Sequence, residues 1–236
     1  MTTQNPARES ESSIDSRLGC STISFRRWPL PGALAEIKAQ GFGETDLGSL
    51  PGVCDHVPIP LPADQIEALA EQILDSGVTV RLINADVADM DDPELDAAEM
   101  QRRLRTLVEL AQAVGTSTIM LPCGRQEMLY VALGESPVGA VLDFSHVVAS
   151  GGDEVDAVRR IDGRIGHVHL RDAVLGDINL SIGRGIVNFP AAIEALASSG
   201  YQGHYSLELE THDIEDDDRP TEAGRAGRYI TSLLQH

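Results

Sequence analysis

Cysteine is scarce in this chain, and so is positive charge. The three cysteines, Cys20, Cys54 and Cys123, are odd in number, far apart and in no CxxC pair. That excludes a zinc ribbon and a disulfide framework and leaves buried thiols as the expectation. Lysine and arginine together number 18 against 37 acidic residues, a formal charge of −19. The chain lacks the basic footprint that a phosphate backbone requires, so nucleic acid is not an expected partner. No apolar run approaches the roughly 20 residues of a membrane span, so no membrane partner is expected. The segment 1–17 has no apolar h-region and is rich in Ser, Glu, Asn and Arg. It reads as a disordered leader to a single domain at 18–236, and a cytoplasmic location is expected. There is no complete GxGxxG and no P-loop. Gly183-Arg184-Gly185 is a GxG whose simplest reading is a tight loop.

What is present is alternation. Short β-branched runs at Leu18–Ile23, Glu44–Leu47, Val78–Ile83, Thr116–Leu121, Val138–Leu142, Ile165–Leu170 and Tyr205–Leu209 read as strands. Helical stretches separate them, at 31–40, 63–76, 92–114, 126–133, 154–161, 190–198 and 221–234. Gly41, Gly77 and Gly115 stand as stop signals. In the third helix, Leu104, Leu107, Val108 and Ala111 are expected on one buried face. Strand–helix alternation implies parallel pairing with right-handed crossovers. Only about 16 residues separate the fourth and fifth strands, enough for one helix and no further strand with its own crossover. The count is therefore seven strands, not the eight of a complete α/β barrel.

In α/β barrels the chemistry sits at the C-terminal ends of the strands. Here those ends carry Asp46, Asn84, Asp143, His146, His167, His169, Arg171, Asp172, Glu208 and Glu210. His167 and His169 share a face, as do Glu208 and Glu210, because side chains alternate along a strand. His169 lies nearer the mouth. Spacing alone does not choose between the glutamates. Carboxylates with imidazole suit Mn²⁺, Co²⁺, Zn²⁺ or Fe²⁺ better than Ca²⁺. Each residue also has a plainer reading: strand-end Asp as an N-cap, His167 as a satisfied core histidine, 215–218 as a solvated acidic loop.

At GFGETDLG, VGAVLDFSH, RIGHVHLRD, INLSIGRGIVNF and GYQGHYSLELE the sequence resembles the xylose-isomerase-like TIM-barrel superfamily, the sugar phosphate isomerase/epimerase family. The resemblance implies a (β/α) barrel that lacks about one βα unit after strand 4. It implies Asp143, His169 and Glu208 as ligands of a divalent metal, Mn²⁺ first, with Co²⁺, Zn²⁺, Fe²⁺ or Mg²⁺ as alternatives. Catalytic roles fall to Glu208 and His146, and substrate binding to Asp46, Asn84 and Arg171. The family's fifth-strand glutamate has no counterpart in place; Glu127 and Glu135 are the nearest substitutes. The implied function is a metal-dependent isomerase or epimerase acting on a small ketose or polyol-derived ketone. The alternatives are an inosose-type dehydratase or lyase, and a degenerate barrel kept as a binding subunit. A small sugar is the expected partner, and a homo-oligomer is allowed.

Overall fold

The computed structural model describes residues 13–86, 96–122, 139–161 and 163–235. The expectations for residues 1–12, for the helix 126–133, and for Cys123, Glu127 and Glu135 lie outside these.

The strands are β1 (Leu18–Cys20), β2 (Glu44–Ser49), β3 (Thr79–Ala85), β4 (Ile119–Met120), β5 (Ala140–Asp143), β6 (Ile165–Leu170), β7 (Asp172–Val174), β8 (Asp177–Leu180) and β9 (His204–Leu207). The helices are α1 (Leu30–Ala39), α2 (Ala63–Asp75), α3 (Ala97–Val114), α4 (Phe144–Ala149), α5 (Glu154–Ile161), α6 (Phe189–Ser198) and α7 (Arg219–Leu234). Gly41, Gly77 and Gly115 follow their helices closely, with φ of 92°, 67° and 81°.

Two parallel sheets supply the seven expected strands, in the orders β1-β9-β6-β5 and β2-β3-β4. Side-chain hydroxyls join them where β1 lies beside β2. Thr45 Oγ1 donates to the Cys20 carbonyl at 2.7 Å, Ser21 Oγ donates to the Asp46 carbonyl at 3.2 Å, and Thr22 Oγ1 accepts from Gly48 N at 2.9 Å. At the far edges, β4 and β5 flank residues 123–138. Each sheet has its own core. One gathers Phe25, Phe42, Phe144, Val168, Leu170, Phe189, Leu207 and Ile230; the other gathers Leu34, Leu47, Ile66, Ile73, Ile83, Leu107 and Leu110. Helix α1 feeds both, Ile37 into the first and Leu34 into the second. Among the described residues no helix is long and apolar enough to cross a membrane.

Several local expectations change. The strand expected over Leu18–Ile23 stops at Cys20, because the Ser21 side chain accepts from Ile23 N and caps a 3₁₀ turn over Thr22–Phe25. Ile14, expected in the leader, packs against the first core, and Asp15 N donates to Thr231 Oγ1 at 3.0 Å. Val108, expected on the buried face of α3, is 44% exposed; Leu107, Leu110, Ala111 and Val114 form the buried stripe instead. The hairpin β7–β8 is an addition, grown from the HVHLRD strand into the INLSIGRGIVNF segment. Asp172 holds the loop behind it, accepting from Ala173 N at 2.9 Å, Gly183 N at 2.7 Å and Val187 N at 3.1 Å.

Candidate metal centre

Strand register builds the site. His169 pairs in register with Asp143 on one side and Ser206 on the other. Neighbours in register share a face, so Asp143, His169 and Ser206 face a common interior, and Glu208, two residues beyond Ser206, follows on that side. Asp143, His169 and Glu208 each offer one ligand atom, and these atoms all lie within 4.8 Å of one another. A second group, Asp46, His167 and His169, meets the same criterion and shares His169.

Asp46 explains the shared histidine. Its Oδ2 accepts from His167 Nε2 at 2.8 Å and from His169 Nε2 at 3.1 Å. With Nε2–H donated to this carboxylate, the other ring nitrogen of His169 is turned to Glu208 Oε2, 3.3 Å away. A carboxylate that holds one imidazole nitrogen while the other faces a ligand site is the usual support of a metal-binding histidine. Glu208 is steadied in turn by Asn84, whose Nδ2 donates to its Oε1 at 3.0 Å.

Asp143 combines its two readings. Oδ1 caps α4, accepting from Ser145 N at 2.8 Å and His146 N at 3.4 Å, and it also accepts from Ser145 Oγ at 2.6 Å. Oδ2 faces the interior, 3.1 Å from Arg171 Nη2. Arg171 crosses the whole cluster. Its Nε donates to Ser145 Oγ at 3.1 Å and its Nη1 to Asn179 Oδ1 at 3.1 Å and to Glu210 Oε1. Its Nη2 reaches Asp143 and lies 3.8 Å from Glu208 Oε2.

The electrostatics follow from these contacts. Burial works to raise the Asp46 pKa, but the charge and hydrogen bonds of His167 and His169 outweigh it and hold the carboxyl below its ordinary value. Asp143 is likewise lowered against its burial, by Arg171, His146 and His169, and Glu208 by His169 and Arg171. Burial alone would lower the His169 pKa; Glu208 and Asp46 raise it well above its ordinary value. A proton thus holds the place on His169 that a cation among the carboxylates would contest.

The residues expected to bind substrate stand as follows. Asp46, Asn84 and Arg171 are 1%, 4% and 2% exposed, each committed to neighbours in the cluster. The His146 side chain is 57% exposed, its Nε2 3.7 Å from Asp143 Oδ2, and marks the solvent side. His167 is a satisfied histidine, as its plainer reading holds, and its bond to Asp46 ties it to the site. Ser145, Asn179 and the arginine contact of Glu210 went unnoticed in the sequence. Nothing in the local pattern of a serine, an asparagine or the second acid of ELE announces an arginine partner.

Residues 126–233 match the family model described as xylose isomerase-like TIM barrel. Among solved structures, the IOLI protein with a bound zinc atom is similar at a TM-score of 0.71 and 16% identity, over 92% of this chain and 98% of that one. An L-ribulose 3-epimerase is similar at 0.65 and 17%, over 94% and 95%. Among curated proteins, the rhizopine catabolism protein MocC of Rhizobium meliloti is 32% identical over 147 residues, 50% of this chain and 45% of that protein. An uncharacterised protein of Mycobacterium leprae is 35% identical over 75 residues, 31% of this chain. The chain spans about a quarter to under half of the length of the curated relatives it matches, 27% for the Mycobacterium leprae protein and 45% for MocC. With their parallel strand order, the described residues share the TIM-barrel fold of these structures, and residues 126–233 are similar to the xylose isomerase-like family.

Proposed function

We propose that the chain is a metal-dependent isomerase or epimerase acting on a small ketose or polyol-derived ketone. The observation that carries this reading is the convergence of Asp143, His169 and Glu208 on a common point. Two carboxylates and an imidazole braced by Asp46 form a donor set suited to a divalent first-row ion, with Mn²⁺, Co²⁺, Zn²⁺, Fe²⁺ or Mg²⁺ as candidates. Such an ion, when bound, supplies Lewis-acid stabilisation of a substrate oxygen.

The rest of the chemistry belongs to the chain. In this reading Glu208 takes the proton from the carbon beside the substrate carbonyl. The C–H electron pair moves into the new C=C bond and the carbonyl oxygen takes up charge as an enediolate; in isomerisation the hydroxyl proton passes to that oxygen, the other oxygen closes the new carbonyl and Glu208 returns its proton to the former carbonyl carbon, whereas epimerisation requires a second proton donor on the opposite face. Asn84 fixes the carboxylate for that transfer. Asp46 sets the tautomer of His169. Arg171 offsets the negative charge of Asp143, Glu208 and Glu210, and His146 meets substrate from the solvent side. The L-ribulose 3-epimerase among the similar structures supports the reaction class. A probable 3-DHS dehydratase from Bacillus anthracis, with a TM-score of 0.64, keeps dehydration of a related ketone as the second reading.

Elemental analysis of purified wild-type and His169→Ala protein tests the proposal, together with turnover on a ketose panel. Stoichiometric metal and isomerised or epimerised product are expected for wild type, with both lost in the variant. Full metal content in His169→Ala would remove the ligand assignment. A dehydrated product would move the reading to the lyase.

A further inference from the structure

Among the described residues, two buried side-chain atoms have no hydrogen-bond partner: Ser206 Oγ and Glu210 Oε2. Burying a polar atom without a partner is costly, so native structures seldom keep one without a reason. The two atoms differ in setting. Ser206 lies beside His169 in the register of β6 and β9 and is a neutral hydroxyl; Glu210, four residues on, lies past the end of β9 at Leu207 and is a carboxylate. Glu210 is 8% exposed and belongs to the cluster through its other oxygen, which Arg171 Nη1 holds. Arg171 also touches Asp143 and stands beside Glu208. The orphan oxygen therefore sits next to the reacting region, on a carboxylate whose orientation is set by its arginine.

We propose that Glu210 Oε2 accepts a hydrogen bond from a hydroxyl of the substrate and restricts the site to uncharged polyols and ketoses, against their phosphate esters. This rests on the sugar-site reading above and adds the class of sugar. The chemistry is one-sided. A carboxylate paired with a guanidinium is an acceptor and has no proton to give, so it seeks a donor. A sugar hydroxyl supplies one. A phosphate or carboxylate group brings more acceptor oxygens and negative charge against Glu210, Glu208 and Asp143. Arg171, the guanidinium in contact with Glu210, already directs four of its five N–H groups to protein acceptors, three of its contacts being carboxylates, so its charge is offset before any anion arrives.

Isothermal calorimetry on the metal-loaded protein tests this without requiring turnover. The ligands are xylitol, ribitol, myo-inositol, D-fructose and D-ribulose, the last two paired with fructose 6-phosphate and ribulose 5-phosphate. The variant is Glu210→Gln. At least one neutral compound should bind wild type, and each phosphate ester should bind at least about tenfold more weakly than its parent. Glu210→Gln should weaken neutral ligands about tenfold to a hundredfold, the loss expected for a hydrogen bond to a charged group, with metal content unchanged. Failure of every neutral ligand to bind wild type overturns the proposal. So does a phosphate ester that binds as tightly as its parent, unaltered affinity in a folded Glu210→Gln, or loss of metal in that variant, which would make Glu210 a metal ligand. Binding as predicted without turnover of any ketose would instead strike down the isomerase reading and leave this one standing.

Discussion

His169 Nε2 lies 3.1 Å from Asp46 Oδ2, and that contact decides which face of the ring is free. Replacing Asp46 with Asn removes the charge that holds the imidazole and leaves the tautomer unset. Metal affinity should fall about tenfold to a hundredfold, the usual effect of removing such a support. Competition titration against a chromogenic chelator reads the change directly. An affinity equal to wild type would show that the histidine needs no brace.

The metal-free protein should be most stable in mildly acidic solution. Asp46, Asp143 and Glu208 sit below their ordinary values of 3.8, 3.8 and 4.5, so their contribution is present above that range and is lost as pH falls through the folded-state values. His169 sits above its ordinary 6.5; its contribution is full below that pH and is lost as pH rises through the folded-state value. Urea unfolding across pH should therefore decline on both sides of the window between those limits. The alkaline decline should shrink in His169→Gln. A flat profile above pH 6.5 in wild type would contradict the raised value.

Asp172 should matter to folding far more than to binding. It is 1% exposed and receives three backbone N–H groups. Asp172→Ala strands those donors and should cost at least about 2 kcal/mol. Gly185 should be as sensitive, since a Cβ there would collide with Asp172 Oδ1 and the Ala173 carbonyl oxygen. Thermal unfolding of Gly185→Ala should show a large loss of stability; a wild-type melting point would mean that the loop can be rebuilt.

Cys20 and Cys54 should resist alkylation in the native state. Both are buried; burial pushes the Cys20 thiol up to about 12 and raises that of Cys54 as well, so neither offers thiolate at neutral pH. Peptide mapping after iodoacetamide treatment should find both unmodified until urea is added. Early labelling of Cys54 would show that the segment around Leu50 and His56 opens readily.

Much of this arrangement was legible in the chain. Strand–helix alternation located all seven parallel strands; most carry the apolar run of a strand buried on both faces, while β2, ETDLGS, is buried throughout with Leu47 as its one large apolar residue. Asp143, His169 and Glu208 were legible as strand-end polar residues, and the structure brings them together. Glu208 and Glu210 could not be separated by alternation, since residues two apart share a face; the family resemblance chose Glu208, and in the structure His169 and Asn84, from other strands, contact it. Helix α4 escaped notice because six residues are too few for a period to show. Val108 misled because one apolar residue on the margin of a helical stripe looks the same in sequence as one at its centre.

The hydroxyl seam between β1 and β2 carries a consequence for how the protein holds together. Asp46 stands on one side of that seam, and the two imidazoles that grip it stand on the other. The segment from β2 to β4 forms one lobe with its own apolar interior; the remaining strands form a second. The polar centre is thus also the clasp between two half-structures, so anything that loosens the clasp both dismantles the chemistry and lets the lobes part. Thr45 and Ser21, outside the candidate ligand set, hold the two sides of that clasp together.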